Sequence, residues 1–254
     1  VVKIHCQGKI FSQIRAVIFD KDGTLADSRV FWRELAISRA KIISRSFPEI
    51  PELEFSLLSA FGVKDDAKGT LRARLDPAGL MAVGSRLENE IGAAACVAAA
   101  GKSWFEARNI VAKAFQEADK EKDSLSIAPL FEGVTSLLQS LSQKGLKLGI
   151  LSADTTAGVE NFVKYHRLGS YIRWQMGSDR IYSKPDPALF LEACRQLAVQ
   201  PSQAIMVGDA QGDIDMARSS GAAGTIAICW NDCDWGKIIG ADAVVDRLEA
   251  IDLI

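Results

Sequence analysis

Short apolar runs alternate along the chain with stretches whose apolar residues recur every three or four positions. Ala16–Phe19, Leu146–Leu151, Ala204–Val207 and Thr225–Cys229 read as buried strands, and Tyr171–Met176 and Ala243–Val245 as weaker ones. Amphipathic helical patterns fall between them, at about Phe131–Gln143, Thr156–His166, Asp186–Leu197 and Gly212–Ser219. Continuous apolar strands alternating with such helices predict an α/β fold, a parallel sheet covered on both faces.

One segment breaks the alternation. From Ser28 to Ser126 the chain reads as almost wholly helical: Phe31, Leu35 and Ile42 recur at helical spacing, as do Trp104, Ile110, Val111 and Phe115. Pro48 and Pro51 mark a turn, and Asp76-Pro77 and Gly101 mark further breaks. About a hundred residues is long for a simple crossover between sheet strands. The expected organisation is a core of residues 1–27 and 127–254, interrupted by an all-helical domain of residues 28–126. Ile4, Cys6, Ile10 and Phe11, around Gly8, suit an extra hairpin strand at the start.

Composition excludes more than it names. Hydrophobic residues make up 48% and charged residues 24%, with 32 acids against 30 bases and a net charge of -2. This balance gives no reason to expect nucleic acid or an anionic membrane as partner. No apolar run reaches the roughly 18 residues of a membrane span, and the start of the chain does not read as a signal peptide. The cysteines Cys6, Cys96, Cys194, Cys229 and Cys233 are odd in number and scattered, and neither His5 nor His166 lies near the last two. The expectation is free thiols in a reducing cytoplasm, with neither a disulfide framework nor a zinc site. Nothing in the sequence sets an oligomeric state.

The polar residues of interest fall at strand ends, where open parallel sheets bind their ligands. Asp20 and Asp22 follow the first strand, Ser152 closes the second, Asp209 follows the third, and Asp213 lies in the next loop. Folding would bring these distant positions together. The run Asp20-Lys21-Asp22-Gly23 also resembles the start of a calcium loop, but Phe31 stands where that loop needs its last glutamate.

Taken together these residues form four motifs, and the chain resembles the haloacid dehalogenase superfamily, in its phosphatase branch and near its phosphoglycolate-phosphatase-like members. Asp20-Lys21-Asp22-Gly23-Thr24 matches the first motif, and Ser152, closing Gly149-Ile150-Leu151, the second. Lys184 in Ser183-Lys184-Pro185-Asp186-Pro187 matches the third, and Gly208-Asp209 with Asp213 the fourth. The resemblance runs from about Ile14 to Val245. It implies a Rossmann-like core, with residues 28–126 where this family inserts its first type of helical cap. It further implies that Asp20 attacks phosphorus to give an aspartyl-phosphate, while Asp22 acts first as general acid and then as base. Ser152, with Ala153 beside it, would bind the phosphoryl oxygens, and Lys184 would offset negative charge. Magnesium would be held by Asp20, Asp209, Asp213 and the main-chain carbonyl of Asp22. These roles make chemical sense, because a carboxylate is a weak nucleophile that needs positioning and charge screening. The implied substrate is a small phosphorylated metabolite.

Several neighbouring readings stay in view. A dehalogenase has no use for Asp22, since halide leaves without a proton. A phosphonatase would replace Asp22 and recruit a lysine of the helical segment, and neither Lys41 nor Lys113 is marked for that. A phosphomutase of the β-phosphoglucomutase type uses the same residues with a different acceptor. A binding protein on an inactive scaffold would not need the whole set. Asp154 and Asp215 read as capping or supporting groups, and Trp174, Trp230 and Trp235 as packing residues. Trp32 and Arg33 lie near the expected hinge, as a core-facing ring and a solvated cation.

Overall fold

Every apolar run expected to be a strand is one, and its neighbours in the sheet explain why it is so apolar. The computed structural model describes residues 2–64, 74–76, 78–122, 127–178, 182–230 and 238–254. In chain order these form β1 (Val2–Cys6), β2 (Lys9–Ile14), β3 (Ala16–Phe19), α1 (Arg29–Ser44), α2 (Glu52–Phe61), β4 (Val63–Lys64), β5 (Arg74–Leu75), α3 (Leu80–Val83), α4 (Arg86–Ala99) and α5 (Trp104–Lys122). There follow α6 (Val134–Gln143), β6 (Lys147–Leu151), α7 (Thr156–Tyr165), β7 (Ile172–Met176), α8 (Pro187–Gln196), β8 (Ala204–Gly208), α9 (Gln211–Ser219), β9 (Gly224–Ile228), β10 (Ala243–Val245) and β11 (Ile251–Leu253).

The chain divides into two compact units. One joins Val1–Asp27 to Pro129–Ile254, and the other is Ser28–Ala128. In the first unit a parallel sheet runs in the order β10-β9-β8-β3-β6-β7. β3 is central, with Phe19 in register with Val207 on one side and Ile150 on the other. All four of its residues are buried, as a strand covered on both faces requires. Ala16 and Ile18 pack with Leu189, Phe190, Met216 and Ala217 of α8 and α9, and strand alternation sends Val17 and Phe19 to the other face. β1 and β2 make the expected hairpin, and β11 joins it in a separate antiparallel sheet.

The second unit has its own core. Leu35, Ile43, Leu57, Phe61, Val97 and Phe115 are completely or almost completely buried there, each stabilising the unit by roughly 1.5–3 kcal/mol. Arg39 is buried among them. Its guanidinium lies 4.0 Å over the Phe115 ring and 3.4 Å from Asp119, which also pairs with Arg86. The expectation of an all-helical segment needs one amendment, a two-residue antiparallel ladder between β4 and β5. Alternation over two residues is too short to register as a strand pattern.

The thiol expectation needs another. Cys6, Cys96 and Cys194 are free, whereas Cys229, just after β9, is disulfide-bonded. Cysteine count and spacing carry no distance in space, which is what a bond requires. Cys233, Pro77, Trp235 and residues 123–126 of the expected boundary lie outside the described residues. Among the described residues no helix is long and apolar enough to cross a membrane.

Candidate active site

The chain leaves β3 for the second unit and returns as β6 on one flank of β3, and later as β8 on the other. That makes the carboxyl end of β3 the switch point of the sheet, where a crevice opens between diverging connections. Asp20 sits there, its amide donating to the Val207 carbonyl at 2.8 Å. Ser152 stands just past β6, and Asp209 just past β8. Asp213 lies in the first turn of α9 and is completely buried.

Lys184 joins this group from the loop before α8. Its Nζ donates to Asp20 Oδ1 at 2.5 Å and lies 2.7 Å from Asp213 Oδ1. Burial alone would lower the lysine, but Asp20 and Asp213 outweigh it and hold the ammonium above its ordinary value. For Asp20 burial is the largest influence and raises the carboxyl; Lys184 opposes it, and Asp213 and Asp22 reinforce it. Asp209 is also raised, by burial and then by Asp20 and Asp213. One oxygen from each of Asp20, Asp209 and Asp213 can be chosen so that all lie within 4.8 Å of one another. Asp20 Oδ2 is buried with no hydrogen-bond partner. Three converging carboxylates, two of them with a buried oxygen that accepts no hydrogen bond, fit a hard divalent cation that takes oxygen ligands.

Gly23 is part of the same arrangement. Its φ is +82°, and a Cβ at this position would collide with the Asp209 carboxylate. Gly23→Ala is therefore expected to combine backbone strain of about 1 kcal/mol with displacement of Asp209. Cation affinity, measured by calorimetric titration, should fall by about tenfold or more for a misplaced ligand. An alanine variant that binds the cation like the wild type would refute this account of Gly23.

Asp22, two residues after Asp20, makes a different set of contacts. Its Oδ2 is 2.8 Å from Lys21 Nζ and accepts a long contact of 3.5 Å from Ser152 Oγ. Lys21 is buried and also donates to Asp154 Oδ2 at 2.9 Å. Burial would lower Lys21, but Asp22 and Asp154 outweigh it and raise it. Ser152 Oγ accepts from the Asp154 amide at 3.1 Å, and Ala153 lies half-buried between them.

Of the residues singled out in the sequence, Asp20, Lys184, Asp209 and Asp213 form one cluster, and Asp22 and Ser152 a second joined to it through the first motif. Lys21 and Asp154 belong to the second cluster and were not anticipated as partners. The one signal was a lysine set between two aspartates, a place where a solvated side chain is hard to sustain. Of its two expected readings Asp154 takes the supporting one, through Lys21, and the cap of α7 is Thr155, accepting from the Gly158 amide at 3.1 Å. Asp215 is exposed and accepts from Gln211 at 2.8 Å. Trp230 stacks on Phe131 with centroids 4.2 Å apart, and Trp174 packs against the sheet core. Trp32 packs against the core of the second unit, and Arg33 pairs with Glu34.

Comparison with known proteins places these features in context. The model of the haloacid dehalogenase-like hydrolases matches residues 14–221. Phosphoglycolate phosphatase 1 of Pseudomonas aeruginosa is 26% identical over 213 residues, covering 82% of this chain and 66% of that protein. Matches to two phosphoglycolate phosphatases of Pseudomonas putida, one of them described as probable, span 42% and 50% of those relatives. The N-acetylmuramic acid 6-phosphate phosphatase of P. aeruginosa is 25% identical, with 95% of each chain covered. Among solved structures, a predicted phosphoglycolate phosphatase from Haemophilus somnus shares the fold with a TM-score of 0.64 at 20% identity, covering 93% of this chain and 95% of that one. A β-phosphoglucomutase from Clostridium difficile does so with a TM-score of 0.64 at 20% identity, covering 92% and 91%.

Proposed function

The chain belongs to the haloacid dehalogenase-like hydrolase family, and from that premise we propose that it is a magnesium-dependent phosphatase acting on a small phosphorylated metabolite through an aspartyl-phosphate on Asp20. The observation that carries this reading is the state of Asp20. Its Oδ1 is held by Lys184, its Oδ2 is buried without a hydrogen-bond partner, and its carboxylate belongs to a cluster with those of Asp209 and Asp213.

Each residue then has a task. Asp20 attacks phosphorus, and Lys184 offsets the charge of the nucleophile and of the incoming phosphoryl group. Asp22 protonates the leaving oxygen, and afterwards takes a proton from the hydrolytic water. Ser152 donates to a phosphoryl oxygen, with Ala153 following it along the same wall. Asp20, Asp209, Asp213 and the main-chain carbonyl of Asp22 would hold the magnesium. When bound, the cation supplies neutralisation of phosphoryl charge and in-line orientation.

The phosphatases of phosphoglycolate and of N-acetylmuramic acid 6-phosphate named above support a small phosphate monoester as substrate. We read Ser28–Ala128 as the family's helical cap. The support is its insertion directly after the strand that carries Asp20, and its independent core. A cap in this role reads the leaving group, while the sheet handles the phosphoryl group. The test is a panel of phosphorylated metabolites assayed with magnesium for inorganic phosphate. Release of phosphate from one or more of them is expected. Interconversion of sugar phosphates with no free phosphate would replace the phosphatase by a mutase, and no reaction at all would defeat both.

A further inference from the structure

Lys21 is left over by the mechanism above. It is a buried cation in the first motif, yet neither the metal ligands nor the phosphate require it. Asp22 stands on a tight loop in which the amides of Leu25 and Ala26 return to the Lys21 carbonyl at 2.9 and 2.8 Å. That fixes the backbone of the loop but not the Asp22 carboxylate. From Ser152 the carboxylate receives only the 3.5 Å contact, whereas Lys21 Nζ holds the same oxygen at 2.8 Å.

Lys21 is itself tied down. Asp154 Oδ2 takes its second contact at 2.9 Å, and the Phe162 ring lies 5.7 Å from its ammonium. Asp154 is fixed in turn by the Thr155 amide, which donates to Oδ1 at 2.7 Å, and by its fit against Gly158, where a Cβ would collide with its carboxylate. α7 is thereby linked through two side chains to the loop after β3.

On the phosphatase reading, we infer that Lys21 and Asp154 are positioning residues for Asp22. They hold its Oδ2 and direct Oδ1 towards the oxygen of the scissile ester. In the first step an Asp20 oxygen forms its bond to phosphorus, the ester P–O bond breaks, and the Asp22 proton passes to the departing oxygen, which leaves as the alcohol. In the second step water attacks phosphorus, Asp22 takes a proton from that water, and the Asp20–phosphorus bond breaks to release inorganic phosphate. A carboxylate free to rotate would miss both transfers. Lys184 and Lys21 thus divide the work: one bridges Asp20 and Asp213, the other Asp22 and Asp154.

The test uses two esters in the presence of magnesium. Nitrophenolate leaves para-nitrophenyl phosphate without needing a proton, whereas a simple alkyl phosphate needs one. Lys21→Met is expected to lower kcat on the alkyl ester by about 10–100-fold, since a well-placed general acid contributes about 10²–10⁴-fold. On the nitrophenyl ester the loss should be about threefold or less, because little of that general-acid contribution is used there. In an Asp22→Asn background, on the alkyl ester, Lys21→Met should add less than about twofold, as expected for two groups acting as one unit. Asp154→Asn should give the same leaving-group signature with a smaller loss, and it carries the comparison if Lys21→Met does not fold. Equal losses on both esters, an undiminished loss in the Asp22→Asn background, or unchanged activity would each overturn the inference. Where only a metabolite of the panel turns over, that alkyl ester carries the Lys21→Met comparison in the wild-type and Asp22→Asn backgrounds; a wild type that releases phosphate from no ester at all would remove the phosphatase reading itself, and this inference with it.

Discussion

Asp20→Asn is expected to abolish turnover and leave a folded protein. The amide cannot attack phosphorus, and loss of a nucleophile costs at least about four orders of magnitude in kcat, or about 5 kcal/mol of barrier. The fold should tolerate the change because Asp20 is a buried charge that Asp213 and Asp22 already disfavour. Lys184 keeps Asp213 as its partner. Steady-state kinetics together with thermal unfolding check both halves. Acid quench of wild type with labelled substrate should trap phosphate on the protein, and the variant should trap none. Turnover near the wild-type rate in the purified variant would remove Asp20 from the nucleophile role.

Removing magnesium is expected to stop turnover completely, and adding it to stabilise the fold in a pH-dependent way. In the cation-free protein burial pushes the Asp20 carboxyl up to about 7, against roughly 4 for an unfolded aspartate. The folded state therefore holds a proton that the unfolded state has lost. Stability of the cation-free protein falls as pH rises between those two values. A bound divalent cation favours the ionised carboxylates and reverses the loss. At a hundredfold excess over its dissociation constant it adds about 2.7 kcal/mol. The rise in melting temperature on adding magnesium should thus be larger at pH 7.5 than at pH 5. An equal rise at both, or full activity after exhaustive chelation, would refute the cation site.

How much of this was legible before folding depended on the range of the interaction. Ala16–Phe19 and Ala243–Val245 are strands with the bounds read from the sequence, and the other sheet strands agree to within a residue or so. Burial on both faces makes the inner strands uniformly apolar, so sequence reports them directly, whereas β7 at the sheet edge carries an exposed Arg173 and gives a weaker signal. Asp20, Ser152 and Asp209 were legible because each stands at the end of an apolar run, and Asp22 because it follows Asp20 by two residues. The Lys21–Asp154 pair was not, because the two residues are 133 apart and neither carries a periodic signal. The β4–β5 ladder escaped because two residues per strand establish no alternation. Thr155 rather than Asp154 caps α7 because the geometry of one turn decides which oxygen faces the Gly158 amide.

The position of the second unit also sets an order of assembly. Ser28–Ala128 is one uninterrupted stretch whose core residues all lie within it. It can complete its packing as soon as it leaves the ribosome, since domains generally fold as units during synthesis. β3 has no such freedom. It emerges before that stretch, yet its partners are β6 and β8, and Ala16 finds Ala204 only when most of the chain has been made. During that interval a wholly apolar strand is an unpaired edge, the kind of segment that recruits wrong partners. The residues that would hold phosphate and cation come together only after β8 and the start of α9 have been made, and a nascent chain halted before β8 carries a finished insert and an unfinished sheet.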